Sequence, residues 1–435
     1  DQGPYAGKWD NSDNIREILT SRQELAALLS FDNYAERSLA TKMAPSVNDV
    51  VGFLEQLADK GFESAKVEFS QLCEFAQNED GLDDLELWDT AFYAEKLRQQ
   101  RFDISQEELK PYFPTPIVTK GMFDVVEKLF DVQVKYRPEV STYHADAKYY
   151  SIYSQEEEVA GFYFDLYARK NKRGGAWMGD CRVRRRLENG EIQLPVAFMV
   201  CNFTPPVDGE DSLLTHNEVT TLFHEFGHGL HHMLTQMEVA DVSGIAGVPW
   251  DVVELPSQFL ENWCWQEESI SMISSHHQTG EPLPKALLTK MLAAKNFQSS
   301  MQLMRQVEFS LFDFIVHRDF SASESTDILA VIDKIRDKVS VKKPPEYTRF
   351  PHAFSHIFAG GYSAGYYSYK WAEVLAADAF SRFEEEGIFN KDTGMAYKKE
   401  ILEVGGSIDA MDMFVNFRGR KPSVDALLKQ SGIAV

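Results

Sequence analysis

His224-Glu225-Phe226-Gly227-His228 has the pattern H-E-x-x-H and lies inside an apolar run that is compatible with a helix. Two histidines four positions apart project from the same face of a helix, where both imidazoles can bind one metal ion. The glutamate between them is placed to accept a proton from a metal-bound water rather than to bind the metal. The motif predicts a catalytic metal site with His224 and His228 as ligands and Glu225 as general base. The alternative is a pair of histidines that are only packed or solvated.

The segment around the motif predicts a helix from about His216 to Met233. Two further histidines, His231 and His232, are adjacent in sequence and diverge on a helix, so we expect neither to compete as a ligand. The apolar side of this helix is predicted to comprise Leu222, Phe223, Phe226, Leu230 and Leu234.

A catalytic zinc site takes three protein ligands and keeps a fourth position open, so the two histidines need one more partner. Residues 250–263 provide one polar stripe on an otherwise apolar helix, formed at spacings of three, four and three by Asp251, Glu254, Gln258 and Glu261, three of which are acidic. Such groups are costly to bury unless they are paired or bound to a metal ion. We predict Glu254 as the third ligand, with Asp251 and Glu261 holding imidazole N–H groups in orientation.

An alternative for the same segment is a capping box, with Asp251 as the N-cap and Glu254 as the third helical residue. Both interpretations can hold in part, because a cap would also fix the carboxylate. Pro256 is tolerated only in a first helical turn or at a kink. The sequence therefore allows this helix to begin at any of several residues.

The rest of the chain shows two kinds of pattern. Apolar residues recur at helical spacings over residues 13–110, and a further helix is expected over 120–129 after a proline-rich break. The pattern then changes to β-branched and aromatic stretches, which predict strands at 132–136, 161–167 and 196–203. After a proline pair the helical pattern returns and continues to the C-terminus.

We predict a mainly α fold with a small β-sheet beside the motif helix. The changes in pattern define a helical region over 1–130, a β-rich region over 131–204 and a helical zinc-site region over 205–435, together one catalytic unit. In zinc peptidases of this general architecture, an edge strand before the motif helix pairs with the extended substrate backbone, so 197–203 is predicted as that edge. The alternative is an ordinary core strand.

Composition narrows the choice of partners. The chain has 435 residues and 44% hydrophobic content, which indicates a globular protein with a large core. A formal net charge of −23 argues against nucleic acid or an anionic membrane as the main partner. We find no apolar run of membrane-spanning length and no signal-peptide pattern. Four scattered cysteines without a C-x-x-C pair favour a reducing compartment, so we expect a cytoplasmic protein. We also expect a monomer.

One basic cluster stands out against this acidic composition. It is Arg182-Val183-Arg184-Arg185-Arg186, and it lies between two predicted strands. We expect a solvated turn at this place, with an anion-binding site as the alternative.

Two segments, residues 224–232 and residues 253–263, together carry a family resemblance. They look like the zinc oligopeptidases of the thimet oligopeptidase and neurolysin type. The resemblance extends over nearly the whole chain and includes residues 172–177 and 350–387. It implies a zincin-like, neurolysin-type helical metallopeptidase that acts on short peptides.

The resemblance also implies that one Zn²⁺ ion per chain is bound by His224, His228 and Glu254, with Glu225 as the catalytic base. Members of the family carry a helical region ahead of the point where this chain begins, and that region helps to wall a channel for short peptides. Because the chain starts at Asp1 without a methionine, we expect a processed product or an excised part of a longer protein.

A segment rich in glycine and tyrosine, residues 359–369, is the second unusual feature. It lacks the Lys-Ser/Thr of a phosphate loop, and its glycines allow a mobile or closely approached backbone. Tyrosines at helical spacing are often residues at the edge of a core. Amide hydrolysis, however, needs donors for an oxyanion, and the resemblance implies a flexible loop whose tyrosines contact the scissile peptide. We predict Tyr369 first and Tyr362 second as oxyanion donors.

Substrate contacts are predicted close to these two tyrosines. We expect a weaker contact from Tyr366 and a close backbone approach at Gly361. His356 and His352 precede the segment and are also candidates for binding substrate.

The residues favour a zinc endopeptidase for short peptides that works without a covalent intermediate. One alternative is a dipeptidyl carboxypeptidase, which would need a cation or donor cluster to bind a free C-terminal carboxylate. Another is a module that binds zinc but is catalytically inactive. Serine or cysteine nucleophile chemistry is not favoured, because the chain has no G-x-S-x-G or comparable local motif.

Overall fold

The computed structural model describes residues 9–323 and 326–433, and it shows a mainly helical chain with one small five-stranded sheet. The predicted fold class is confirmed. The predicted division into three regions follows changes in secondary structure and stays a prediction. By compactness the chain divides into two units, which are Asp1–Arg101 with Asn296–Trp371 and Leu427–Val435, and Phe102–Lys295 with Ala372–Ala426.

The helices occur in two groups, one before the strands and one after them. The first group is α1 (Ser12–Leu28), α2 (Tyr34–Leu39), α3 (Val47–Asp80), α4 (Thr90–Phe102), α5 (Gln106–Leu109) and α6 (Thr115–Phe130). The second group is α7 (His216–Met233), α8 (Leu255–Glu261), α9 (Glu267–Ile273), α10 (Lys285–Ala293), α11 (Ser299–Asp319), α12 (Ile328–Val339), α13 (Ser355–Phe358), α14 (Ser368–Glu386), α15 (Lys391–Tyr397), α16 (Ala410–Arg418) and α17 (Asp425–Gln430). A π-helical stretch, Lys398–Leu402, continues α15. The helical patterns predicted on both sides of the strands are confirmed.

In the first unit, the long helices α3 and α11 pack against each other. Gly61 of α3 lies at this contact, where an added Cβ would be 2.9 Å from Cδ2 of the Leu303 side chain on α11. The start of α3 is fixed by Ser46, whose side chain accepts a hydrogen bond from the backbone N–H of Asp49. Gly81, with φ 68°, ends the helix in the left-handed conformation that glycine adopts readily.

The second unit contains the strands β1 (Gln133–Tyr136), β2 (Lys148–Ser154), β3 (Glu157–Tyr167), β4 (Trp177–Arg182), β5 (Arg185–Arg186), β6 (Ile192–Gln193) and β7 (Val196–Phe203). The main sheet has the order β1-β2-β3-β7-β4, and β5 pairs with β6 separately. Strands β3 and β7 are parallel, whereas the other neighbours in the main sheet are antiparallel.

The strand pairing corrects one sequence prediction. The three predicted strands are present as β1, β3 and β7, while β2 and β4 had not been predicted. Because β7 is paired with β3 on one side and β4 on the other, the prediction that residues 197–203 form an edge is wrong. The edge beside β7 is β4, in which Met178 pairs with Met199 and Gly179 pairs with Phe198.

The motif helix α7 has the predicted bounds, and its apolar side packs as predicted. Thr215 and Glu218 form a capping box at its start, which the sequence analysis had not identified. The ring of Phe226 lies 5.5 Å from that of Phe123 and 5.4 Å from that of Phe162, measured between centroids. The predicted apolar residues are at most 2% exposed, namely Leu222, Phe223, Phe226, Leu230 and Leu234. This packing fixes the orientation of the helix and therefore of its histidines.

Two further observations concern the chain as a whole. Among the described residues, we find no helix with the length and apolar character needed to cross a membrane. All four cysteines are free thiols. Burial raises the pKa of Cys201 and of Cys264, so neither is a reactive thiolate at neutral pH.

Asp165 on β3 is a buried anion that stabilises the sheet, and its replacement by Asn is expected to lower stability at pH 7 by about 2 kcal/mol. It accepts hydrogen bonds from Tyr143 (2.9 Å), Arg169 (2.6 Å) and Lys172 (2.9 Å). Burial alone would raise its pKa, but these partners lower the pKa to about 2. A depressed folded-state pKa adds stability above the unfolded value of about 3.9, and this contribution is lost as the pH falls towards the folded value.

Urea unfolding at pH 7, and at decreasing pH for as long as the chain folds, measures this effect. The stability difference between the unaltered chain and Asp165→Asn should shrink as the pH falls below about 4. The exposed Asp146 serves as control, and Asp146→Asn should change stability by less than about 0.5 kcal/mol. If the stability difference between the unaltered chain and Asp165→Asn did not change with pH, Asp165 would not be a stabilising anion.

Candidate metal centre

The three side chains predicted as metal ligands lie together where α7 packs against α8. His224 and His228 are one turn apart on α7, and Glu254 directly precedes α8. Oε2 of Glu254 is 3.3 Å from Nε2 of His224 and 3.1 Å from Nε2 of His228. One ligand atom of each residue lies within 4.8 Å of the other two, the only such group in residues 9–323 and 326–433.

The spacing and the chemistry of these atoms fit a zinc ion. Atoms bonded to a tetrahedral zinc ion at about 2.0–2.1 Å lie about 3.3–3.4 Å apart, and the two separations from Glu254 are of this size. Two imidazoles and a carboxylate are also a donor set of catalytic zinc sites, which keep a fourth position open. The His224 side chain is 26% exposed and that of His228 is 14% exposed, so solvent reaches the cluster.

The electrostatics of the cluster favour a bound cation. Burial alone would lower the pKa of His224, but hydrogen bonds with Glu254 and Glu261 raise it to about 10. Burial would likewise raise the pKa of Glu254, whereas its hydrogen bonds with both histidines lower it well below the usual range. The carboxylates thus stabilise positive charge at this point, and a divalent cation supplies that charge when the imidazoles are neutral.

Glu261 lies where it can orient one of the imidazoles. Its Oε1 atom is 2.6 Å from Nδ1 of His224, so the N–H at this position donates to the carboxylate and Nε2 is left for a metal ion. This hydrogen bond spans 37 positions and joins the last residue of α8 to the middle of α7. Asp251, the other predicted orienting residue, is fully buried, and its role stays a prediction.

The start of α8 decides between the two interpretations of the acidic segment. The helix begins at Leu255, with Pro256 in its first turn, and Glu254 is the N-cap without a capping hydrogen bond from its side chain. The alternative capping box, with Asp251 as N-cap, is therefore wrong. The Glu254 carboxylate accepts a hydrogen bond from Ser257 Oγ at 3.1 Å, and Ser257 also donates to the Glu254 carbonyl at 2.9 Å. Ser257 is a supporting residue that the sequence analysis missed.

The middle of the motif contains a glycine that lets the two helices meet. A Cβ added at Gly227 would lie 2.4 Å from the carbonyl oxygen of Pro256 and 2.6 Å from Cα of Ser257. Both contacts are with backbone, which cannot rotate away as a side chain can. Gly227 is therefore required for the approach that places Glu254 beside the histidines.

Replacing Gly227 with Ala is expected to weaken zinc binding at least tenfold, because α8 must shift and Glu254 moves with it. Perturbing only a residue that supports a ligand already costs about 10–100-fold in metal affinity. Gly229→Ala is the matched control, since its Cβ would lie nearest the flexible thioether of Met199, 2.7 Å from the sulfur. Competition with a chelator of known affinity measures both variants. Equal zinc affinity in the two would contradict this role for Gly227.

Glu225, the predicted general base, is 6% exposed, and burial raises the pKa of its carboxyl group. The backbone N–H of Met178, which lies in the edge strand β4, faces this carboxylate and partly offsets the rise in its pKa. The motif glutamate and the free edge of the sheet therefore meet at the same place. The sequence does not predict this contact, because its pattern indicates β7 and not β4 as the edge.

The two histidines that follow the motif are not part of the ligand group. His232 binds the carbonyl oxygen of Arg182 through Nε2 at 2.9 Å, and burial lowers the pKa of His231 to about 3. The nearby basic cluster is only partly the solvated turn that was expected. Its last residue, Arg186, lies in β5 and donates to Oε2 of Glu238 at 2.7 Å.

In the first unit, the segment rich in glycine and tyrosine brings its predicted site residues together. The rings of Tyr362 and Tyr369 are stacked, with centroids 4.8 Å apart, and the ring of Tyr366 lies 5.3 Å from that of Tyr369. His356 lies 6.1 Å from Tyr362 by the same measure. Gly361 is exposed. Their roles towards substrate stay predictions.

Two of the predicted substrate contacts have other partners in the structure. The hydroxyl of Tyr366 donates to Oε1 of Gln306 at 3.2 Å, and the residue is 7% exposed. Nδ1 of His352 accepts a hydrogen bond from the backbone N–H of Asn11 at 3.1 Å, and its side chain is 4% exposed. His352 therefore holds the start of α1, whereas His356 is exposed.

Residues 3–433 match the family model described as Peptidase family M3. The chain belongs to this family. Oligopeptidase A from Escherichia coli K12 is 55% identical over 434 residues, which are all of this chain and 64% of that protein. A probable cytosolic oligopeptidase A from Arabidopsis thaliana is 43% identical, with 98% of this chain and 63% of that protein aligned. The family resemblance carried by the motif segments is thus confirmed, and the chain spans about two thirds of the length of these relatives.

A more distant relative and two solved structures are also similar to this chain. Dipeptidyl carboxypeptidase from Escherichia coli K12 is 31% identical over 97% of this chain and 62% of its own length. The structure of PZ peptidase A with inhibitor 2 aligns with a TM-score of 0.56 at 17% identity, covering 97% of this chain and 65% of that chain. A Pyrococcus furiosus carboxypeptidase also has a TM-score of 0.56 at 12% identity, covering 98% and 75%. The two structures show a shared fold.

Proposed function

We propose that this chain is the catalytic part of a zinc-dependent endopeptidase that hydrolyses short peptides. The observation that carries the proposal is the convergence of His224, His228 and Glu254, whose ligand atoms have the spacing of a tetrahedral zinc site. Membership of Peptidase family M3 supports the same reaction class. We also propose one Zn²⁺ ion per chain, a cytoplasmic location and a monomeric state.

In this proposal a bound zinc ion supplies Lewis acidity, which polarises the scissile carbonyl and lowers the pKa of water. Glu225 accepts a proton from the attacking water and then donates it to the leaving amine. Its buried position raises the pKa of the carboxyl group, which suits a group that must both accept and release a proton near neutral pH. Glu261 holds His224 in one orientation throughout, through the hydrogen bond to Nδ1.

The edge strand β4 is the proposed docking site for the substrate backbone. An extended peptide can add to a free sheet edge through main-chain hydrogen bonds, which give affinity without selecting side chains. The contact between Met178 on β4 and the Glu225 carboxylate supports this site, because it places the edge directly beside the proposed base. This replaces the sequence prediction that residues 197–203 provide the edge.

Tyr369 and Tyr362 are the proposed donors to the oxyanion that forms during attack. The proposal rests on the chemistry of amide hydrolysis and on the resemblance of the segment, and the ring stack gives the two hydroxyl-bearing side chains a common position. Loss of a single such donor costs about 10²–10³-fold in kcat. Tyr366, Gly361 and His356 remain proposed contacts to substrate.

Elemental analysis of the purified chain, combined with digestion of a peptide library, tests the proposal. We expect about one zinc per chain and internal cleavage of peptides with either free or amidated C-termini. Removal of dipeptides from free C-termini alone would instead support a dipeptidyl carboxypeptidase, the activity in the name of a 31% identical relative. Bound zinc without any cleavage would support an inactive zinc-binding module.

A further inference from the structure

The two halves of the tyrosine segment differ in burial. Residues 359–361 are exposed, whereas residues 364–368 are buried. Ala364 has a φ of 47°, a left-handed conformation that a residue with a side chain adopts only when its surroundings enforce it. The buried half of the segment therefore needs a specific anchor, and the sequence of the segment does not contain one.

The anchor is the carboxylate of Asp313, a fully buried residue on α11. Its Oδ1 atom accepts the backbone N–H of Ala364 at 2.9 Å. Its Oδ2 atom accepts the N–H groups of Gly365 at 2.8 Å and of Tyr366 at 2.9 Å. Three successive N–H groups that converge on one anion form a backbone nest, here occupied by a side chain of the same unit.

Asp313 is itself held by a second pair of residues. Nε2 of His317 lies 2.8 Å from a guanidinium nitrogen of Arg22, and a guanidinium can only donate. Nε2 is therefore the acceptor and Nδ1 carries the proton, which it donates to the backbone carbonyl oxygen of Asp313 at 2.7 Å. The same Nδ1 atom also lies 3.0 Å from Oδ1 of Asp313. Arg22 thus fixes the tautomer of His317, and the imidazole N–H lies beside both the backbone carbonyl and the carboxylate of Asp313.

The carbonyl groups of the same turn are bound from α2. Ser38 Oγ lies 2.9 Å from the carbonyl oxygen of Ala364 and 3.2 Å from that of Ser363. The hydroxyl of Tyr34 lies 3.1 Å from Oγ of Ser363. Both the donors and the acceptors of the turn are thus bound by buried groups outside it, so the turn is fixed just before Tyr366 and Tyr369.

We propose that Asp313 is a positioning residue for the reaction: by fixing the turn at residues 364–366 it sets the orientation of Tyr369 and of its stacked partner Tyr362. The inference rests on the proposed function, since it acts through the proposed oxyanion donors. Asp313 does not contact substrate in this proposal.

The test uses Asp313→Asn in the full chain, because Asn keeps the shape but offers one acceptor oxygen instead of two. At least one of the three N–H groups then faces the amide nitrogen, which can only donate. We expect kcat for a short peptide to fall at least tenfold, while KM changes by less than about threefold and zinc content stays the same. Unchanged kcat in a folded, zinc-loaded variant would overturn the proposal.

Glu308→Gln is the matched control, since Glu308 is a buried acid on the same helix that binds Arg336 and Ser340 rather than the segment. It should lower stability but leave kcat within about twofold. If Asp313→Asn does not fold, Ser38→Ala is the second variant, with an expected two- to fivefold fall in kcat. An unchanged kcat in Ser38→Ala would then count against the proposal.

A double-mutant cycle with Tyr369→Phe separates positioning from a general loss of structure. If Asp313 acts through Tyr369, adding Asp313→Asn to Tyr369→Phe should cost less than about threefold in kcat. Full additivity of the two effects would overturn the proposal. Failure of the proposed function is a different result, because the unaltered chain would then lack zinc or fail to cleave peptides.

Discussion

Glu225→Gln is expected to abolish peptide hydrolysis while leaving one zinc per chain. Glutamine has the shape of glutamate and still offers an oxygen to the backbone N–H of Met178, so the local structure should persist. It cannot accept a proton, and a positioned general base contributes about 10²–10⁴-fold to the rate. Because Glu225 is proposed both to accept and to donate the proton, we expect kcat to fall at least about thousandfold.

Steady-state kinetics and elemental analysis of the same preparation measure this prediction. Glu403→Gln is the matched control, since burial also raises the pKa of Glu403, which lies in the same unit but is not a member of the group His224, His228 and Glu254. That variant should keep both zinc and activity. A Glu225→Gln chain with normal kcat would remove the proposed mechanism, and one without zinc would show that Glu225 has a structural role.

The bounds and the buried side of the motif helix could be predicted because the residues that determine them are close together in the sequence. A strict spacing of two histidines and an apolar side of period 3.6 fixed both the bounds of α7 and the side that would be buried. The proposed third ligand could also be predicted from its own segment, because Glu254 stands in a sequence whose other acids have helical spacing. What the segment did not reveal was the start of α8, since Pro256 is compatible with more than one helical register.

The sheet edge could not be predicted because it depends on pairing between distant strands. The sequence of β7 is apolar and β-branched, which fits either an edge or a central strand. The edge strand β4 contains Gly179 and Asp180, which are unfavourable in strands. The sequence of this segment therefore does not predict a strand. Only the pairing of β7 with both β3 and β4 placed Met178 beside Glu225.

The supporting residues of the site were missed for a similar reason. Gly227 occupies a variable position of the H-E-x-x-H motif, so the motif itself does not predict a role for it. A glycine inside a helical pattern can nevertheless indicate close packing, here against the backbone of Pro256 and Ser257. Asp313 lies about 50 positions before the turn that it binds, and no local pattern links the two. Sequence therefore predicts which groups do chemistry more readily than which groups hold them in place.

Glu254→Ala is expected to remove zinc from the chain and with it all peptide cleavage. The variant leaves two imidazoles from one helix, and the charge of the carboxylate that balances the ion is lost. Loss of a group that only supports a ligand costs about 10–100-fold in metal affinity, so loss of the ligand itself should cost more than about hundredfold. Dialysis against a chelator followed by elemental analysis measures the remaining zinc.

A graded series distinguishes a ligand from a supporting residue. Glu261→Gln removes only the charge that binds Nδ1 of His224, so zinc affinity should fall by about 10–100-fold and activity should return when zinc is added in excess. Glu254→Ala should not recover at the same zinc concentration, because the ion would lack one of three protein ligands. The expected order of zinc affinity is the unaltered chain, then Glu261→Gln, then Glu254→Ala. Stoichiometric zinc retained by Glu254→Ala would show that the ion is held elsewhere, whatever the spacing of the three side chains.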